Sequence, residues 1–324
     1  MAKSRGTEAK LNRLQALRRD APAPNHVPEL RQALADSSNL VAAEAAEIVA
    51  ERNLGELAID LVAAFDRFMI DPEETDKLCR AKLAITDALN KIEYDEERVF
   101  LDGVRHVQFE ARWGKPEDTA GPLRGSSAFG LLRLNHRDIM SVLADLLADP
   151  DKAARLAAVR ALGESRFPAA VPLLRFKVRT GDKDPEVLSE CLGVLLAATP
   201  KESLALAAEL LNSPTESTQE AAAFALGECR RPDALELLLR FWPRAHDATL
   251  QEVVLFAIST TRLPAAIDFL LAQLSGDDRR VALATLNALA IHRHHDATKQ
   301  RIAAAIEAID DRALHERFAK KFEG

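Results

Sequence analysis

Residues 168–198 read PAAVPLLRFKVRTGDKDPEVLSECLGVLLAA, and this stretch decides the fold. Pro168 opens a first helix on which Val171, Leu174 and Val178 form an i, i+3, i+7 apolar stripe. Gly181 and Asp182 break it, and Asp184-Pro185-Glu186 starts a second helix carrying Leu188, Cys191, Leu192 and Leu195. Proline in a first turn costs little, because the amide it lacks has no helical partner there.

The unit recurs. Prolines stand at Pro168, Pro200, Pro232 and Pro264, and His136 and Asp296 hold the same register on either side. Leu146, Val178, Leu210, Trp242, Leu274 and Ile306 form one apolar column at this 32-residue step, and Leu162, Val194, Leu226, Ile258 and Ala290 form a second. A fixed period of this length marks a repeat protein whose units bury their apolar faces on their neighbours. The expected fold is all-α: a right-handed α-solenoid of stacked antiparallel helix pairs. Ala161, Gly193, Ala225 and Ala257 form a column of small residues where two helices are expected to approach most closely. Thr199-Pro200-Lys201-Glu202 and Ser213-Pro214-Thr215-Glu216 have the pattern of capping boxes.

Asp149-Pro150-Asp151, then Arg155, Ala158, Ala161-Leu162-Gly163 and Pro168-Ala169, resemble the short HEAT-like repeat of phycobilisome-lyase type. Ala225-Leu226-Gly227 followed by Pro232-Asp233-Ala234 repeats the pattern, and the likeness covers about residues 126–309. The resemblance implies a fold far more than an activity, because scaffolds, chaperones and a few enzymes share this repeat.

Outside that region the pattern loosens. Residues 1–21 read as a flexible arm ending at Pro22 and Pro24. Residues 22–112 read as irregular helical repeats, with stripes at about 27–36, 39–52, 54–69, 74–92 and 96–110. The segment 113–125 reads as an inserted loop, since its run of glycines and prolines argues against helix. Residues 126–324 then hold the regular repeats and a C-terminal capping helix.

The 324 residues are 48% hydrophobic and 5% aromatic, a mix suited to helices packed through small side chains. The formal net charge is −7, which opposes nonspecific nucleic-acid binding. The three cysteines, Cys79, Cys191 and Cys229, lack CxxC spacing and read as reduced thiols of a cytoplasmic protein. No stretch is apolar enough for a membrane span or a signal peptide.

Two candidate binding features stand out. Arg166, Arg230, Arg262 and His294 fall two residues before a repeat's opening position, with Leu134 and Ala198 as the exceptions, so equal register places them along one edge. Guanidinium groups suit bidentate capture of carboxylate or phosphate, which points to an acidic protein or peptide partner. The competing reading is that they compensate the carbonyl end of the second helix. In the inserted loop, Arg112, Trp113 and Arg124 set an aromatic anchor beside charge, or else Trp113 caps the core. His292, His294, His295 and Asp296 cross a helix end and are not spaced as a metal set, so neither a metal nor another cofactor is expected. The repeat-built iron enzymes that hydroxylate a modified lysine need several His-Glu pairs, and only His315-Glu316 is present. Gly125-Ser126-Ser127-Ala128-Phe129 lacks the closing glycine and the preceding strand of a nucleophile elbow.

The sequence therefore leads to a non-catalytic protein-interaction scaffold. The resemblance leaves two alternatives, a nucleic-acid protein of the kind of the alkylpurine DNA glycosylases, which use a related HEAT-like fold, and a bilin lyase or chaperone.

Overall fold

The computed structural model describes residues 2–21, 23, 25–111 and 114–323, and helices dominate it. It forms two compact units, Met1–Ala170 and Val171–Gly324. The division falls inside the regular repeats rather than at the insert.

The first unit holds α1 (Ala2–Arg19), α2 (His26–Leu34), α3 (Asn39–Arg52), α4 (Ala58–Phe68), the single turn α5 (Pro72–Thr75), α6 (Arg80–Lys91) and α7 (Arg98–Arg105). A two-residue hairpin, β1 (Phe109–Glu110) with β2 (Glu117–Asp118), leads to α8 (Gly121–Arg133), α9 (Ile139–Leu147) and α10 (Lys152–Ser165). The second unit holds α11 (Ala170–Thr180), α12 (Pro185–Ala198), α13 (Pro200–Leu211), α14 (Glu216–Glu228), α15 (Pro232–Phe241), α16 (Ala248–Thr260), α17 (Pro264–Leu274), α18 (Arg279–Leu289), α19 (Asp296–Glu307) and α20 (Arg312–Phe318). Phe318, the last residue of α20, stacks on Phe322 with ring centroids 4.8 Å apart.

Second helices carry the stacking. In the first unit α3 packs on α6, α6 on α8 and α8 on α10. In the second, α12, α14, α16 and α18 follow one another in the same way. Small residues make the crossings possible. A Cβ at Gly125 would lie 2.6 Å from the Ala157 Cβ, and one at Gly227 would lie 2.5 Å from the Ala257 carbonyl oxygen. Ala161, Ala225 and Ala257 of the expected column are buried, but Gly193 borders open space.

Several expectations need correction. Within the expected flexible arm, residues 1–21, Ala2–Arg19 form a helix. Leu14 and Leu17 are buried, and Arg13 pairs with Glu29 at 2.9 Å and Arg18 with Glu44 at 3.2 Å, which fixes α1 as a helix. Pro22 and Pro24 lie outside the described residues. The segment 113–125 is not all loop either. Pro122 sits in the first turn of α8, and Gly121 and Gly125 are there for close packing, Gly121 against Asp151 and Gly125 against Ala157. The stripe at 74–92 breaks at Leu78 and Cys79, both left-handed. Neither capping box forms: the Thr199 hydroxyl donates back to the Leu195 carbonyl at 3.3 Å, and Ser213 accepts the Thr215 amide at 3.1 Å. Aspartates do the capping instead, with Asp151, Asp247, Asp278 and Asp311 each accepting two backbone amides. Trp242 is half-buried rather than core, resting edge-on against Phe269 at 6.2 Å.

These contacts predict opposite signs for two glycine substitutions. Gly227→Ala drives a methyl into the α16 backbone and should cost about 1–3 kcal/mol. Gly193→Ala enters open space within α12 and should stabilise by roughly 0.5–1 kcal/mol. Urea melts of the two variants provide the comparison, and equal effects would refute the packing argument.

Candidate functional site

Arg166 in the first unit and Arg230 and Arg262 in the second stand where second helices end in the same way. Arg166, Arg230 and Arg262 have φ of 54°, 50° and 57°, the left-handed conformation that closes a helix. The second helices α3, α6 and α8 end on the same conformation at Asn53, Glu93 and Asn135. A residue other than glycine or asparagine costs about 1 kcal/mol there. All three arginines are exposed, and among the described residues their side chains have no hydrogen-bond or ion-pair partner. The carbonyl-compensating reading thus has no direct hydrogen bond behind it, although a cation near a helix C-terminus remains favourable. His294 is exposed too, but its backbone is not left-handed and its Nε2 accepts from Arg293 Nε at 3.0 Å.

Arg124 is not a contact residue. It is 3% exposed, its Nε and Nη2 reach Asp149 at 2.8 Å, Nη2 also meets Asp118 at 2.8 Å, and Nη1 donates to the His106 carbonyl at 2.9 Å. Burial works against the Asp118 carboxylate, yet hydrogen bonds from Arg124 and from the Ala120 and Gln108 amides hold its pKa below the ordinary value. Arg124 therefore ties the hairpin to the turn before α10. Arg112 and Trp113 lie outside the described residues.

Sequence reading missed a buried polar cluster under that hairpin. Lys82 and Asp76 are fully buried and pair at 3.0 Å. Lys82 Nζ also donates to the Phe68 carbonyl at 3.1 Å and to Gln108 Oε1 at 3.0 Å. Gln108 Nε2 donates to the Asp76 carbonyl and to Glu110 Oε1, each at 2.8 Å. Burial pushes the neighbouring Cys79 thiol up to about 11, so it stays protonated at neutral pH. The available signal was Lys82 itself, a charge in line with Ile85 and Leu89 on a buried face. The cluster locks the strained 76–82 turn to the hairpin, and nothing in it opens to a ligand.

The second helices of the second unit carry a shallow groove of about 240 Å³, lined by Phe224, Val253, Phe256 and Ala288 among others. Phe224 and Phe256 meet edge to face at 6.0 Å, and Phe256 remains 38% exposed. One helical turn before each phenylalanine stands a glutamate, Glu220 and Glu252.

The remaining polar candidates are structural. His292 is buried, with Nε2 3.1 Å from the Ser259 hydroxyl, which itself donates to the Ala288 carbonyl at 2.8 Å. Burial lowers the His292 pKa below 6.5. Ser127 is buried, and Ser126 donates to Asp87 at 2.5 Å. Among the described residues no group of three or more His, Cys, Asp or Glu is placed to hold a metal ion, and no helix is long and apolar enough to cross a membrane.

Helix pairs stacked through their second helices define an α-solenoid repeat protein. The family model for HEAT repeats matches residues 117–195 and 203–290, more than half of the chain, and the chain belongs to that family. No curated protein matches the sequence. Among solved structures, the complex of CpcE and CpcF of phycocyanin lyase from Nostoc sp. PCC7120 is similar at 20% identity and a TM-score of 0.36, over 89% of this chain and 95% of that one. An engineered protein is similar at 18% identity and a TM-score of 0.36, over 91% and 88%.

Three outcomes follow from this geometry. Arg230→Gly and Arg262→Gly should each stabilise by about 1 kcal/mol, because glycine relieves the left-handed backbone, whereas His294→Gly should not. Thermal melts that show no gain would refute the strain. Lys82→Met leaves Asp76 buried without its cation and should cost about 3 kcal/mol or more, measured by urea unfolding. His292, with its folded pKa depressed, contributes stability above pH 6.5 that is lost as pH falls through its folded pKa. His292→Gln should flatten that loss in melting temperature.

Proposed function

We propose that the chain is a non-catalytic scaffold that holds a protein or peptide partner on its helix-pair stack, with the left-handed arginines among the contacts. One observation carries this reading. Arg166, Arg230 and Arg262 keep exposed guanidinium groups, without a partner among the described residues, at backbone positions that favour glycine. Strain of this kind persists where a side chain is needed. The chemistry they offer, bidentate donors for carboxylate, suits an acidic partner segment. Membership of the HEAT-repeat family supports a binding role, since stacked repeats present extended surfaces. The unpaired cysteines Cys79, Cys191 and Cys229 fit a cytoplasmic setting. The nucleic-acid alternative is the weaker one, because Glu220 and Glu252 repeat along the second helices where phosphate would need cations.

Arg166→Glu, Arg230→Glu and Arg262→Glu together should abolish capture of protein partners from native lysate, with helicity and melting nearly unchanged. Capture of the same partners by the triple variant would remove the arginines from the site. Binding to duplex DNA with a steep salt dependence would remove the scaffold reading itself.

A further inference from the structure

The groove on α14, α16 and α18 has a chemistry opposite to that of the arginines. Glu220-Ala221-Ala222-Ala223-Phe224 on α14 and Glu252-Val253-Val254-Leu255-Phe256 on α16 place the same pair, a glutamate and a phenylalanine one turn apart, on successive second helices. The two rings form the groove's wall, and Ala284 and Ala288 of α18 keep it open by their small size. Glu216, one turn before Glu220, shares a hydrogen bond with Asp247, and that contact raises the Glu216 pKa.

Helix-start positions account for Glu216 and Asp247, since negative charge is favourable there and Asp247 caps α16. They do not account for Glu220 and Glu252, which lie a turn further in. Among the described residues none of these four carboxylates has an ion-pair partner. The nearby cations are otherwise engaged: Arg317 donates to Asn287 Oδ1 at 3.1 Å, and Arg280 donates to Gln251.

We infer that this groove docks a basic amphipathic helix of a partner protein, with an apolar side chain seated against the Phe224–Phe256 wall and lysines or arginines one turn away meeting Glu220 and Glu252. An apolar slot takes the anchor, and unneutralised carboxylates set the partner's charge and orientation. The inference rests on the scaffold reading and assigns a partner chemistry to a surface separate from the arginines.

The test uses the full chain and a fluorescein-labelled helical peptide of leucine and lysine with its leucines on one face. Fluorescence anisotropy should show saturable binding. The double variant Glu220→Lys with Glu252→Lys should weaken it about tenfold or more. Glu202→Lys with Glu307→Lys, an equal charge change on first helices, should leave it unchanged. A peptide with glutamate for lysine, or serine for leucine, should not bind. Equal loss in both double variants would reduce the effect to overall charge and overturn the groove, as would binding that survives Glu220→Lys with Glu252→Lys. A concentration-dependent dimer in sedimentation, abolished by the same double variant, would show a second copy covering the groove and would also overturn it. Where the peptide test overturns the groove, partners still captured from lysate by the wild type would leave the scaffold standing. No partner captured by the wild type would sink the scaffold.

Discussion

Close approach between consecutive second helices is the constraint on which the structure depends. Gly227 lies so near the backbone of Ala257 that no side chain fits, and Gly125 holds a similar place against Ala157. Once those crossings are set in the second unit, α13, α15 and α17 pack on the second helices that follow them, and the ends of those helices fall into register. The left-handed closure that follows brings Arg230 and Arg262 to equivalent places on α14 and α16. The same stacking aligns Glu220 with Glu252 and Phe224 with Phe256. Register at the surface is thus a consequence of packing in the core.

Two surfaces of opposite charge result in the second unit. The helix ends present guanidinium groups, while the helix faces present carboxylates around an aromatic slot. A solenoid repeat builds both from a few residues per unit, because each residue type recurs at the repeat's own spacing. Binding determinants on such a fold need no pocket of their own. The buried Asp76–Lys82 pair shows another economy in the first unit, where polar contacts rather than a large apolar core fix an irregular turn beneath the hairpin. Its cost in desolvation is offset by the hydrogen bonds from Gln108 and the backbone amides.

Most of the architecture was legible in the chain because period and apolar columns survive any local variation. Pro200, Pro232 and Pro264 open helices as their spacing implies. What stayed hidden depended on contacts between distant segments. Gly121 and Gly125 look like breakers until Asp151 and Ala157 are seen against them. Arg124 looks like a surface charge until Asp118 and Asp149 enclose it. The arginine register was visible, but its backbone cause was not, since φ at a helix end depends on how the following segment packs. The first 21 residues misled for a related reason: α1 is secured by the burial of Leu14 and Leu17 and by ion pairs to carboxylates beyond it, and contacts of that sort have no local pattern.

Partner capture by the chain with Arg166, Arg230 and Arg262 all changed to glycine tests the account most directly, because this change improves the backbone while removing the cations. The account predicts a higher melting temperature together with loss of the partners held by the wild type. A more stable chain that captures the same partners would show the arginines to be a tolerated strain without a binding role.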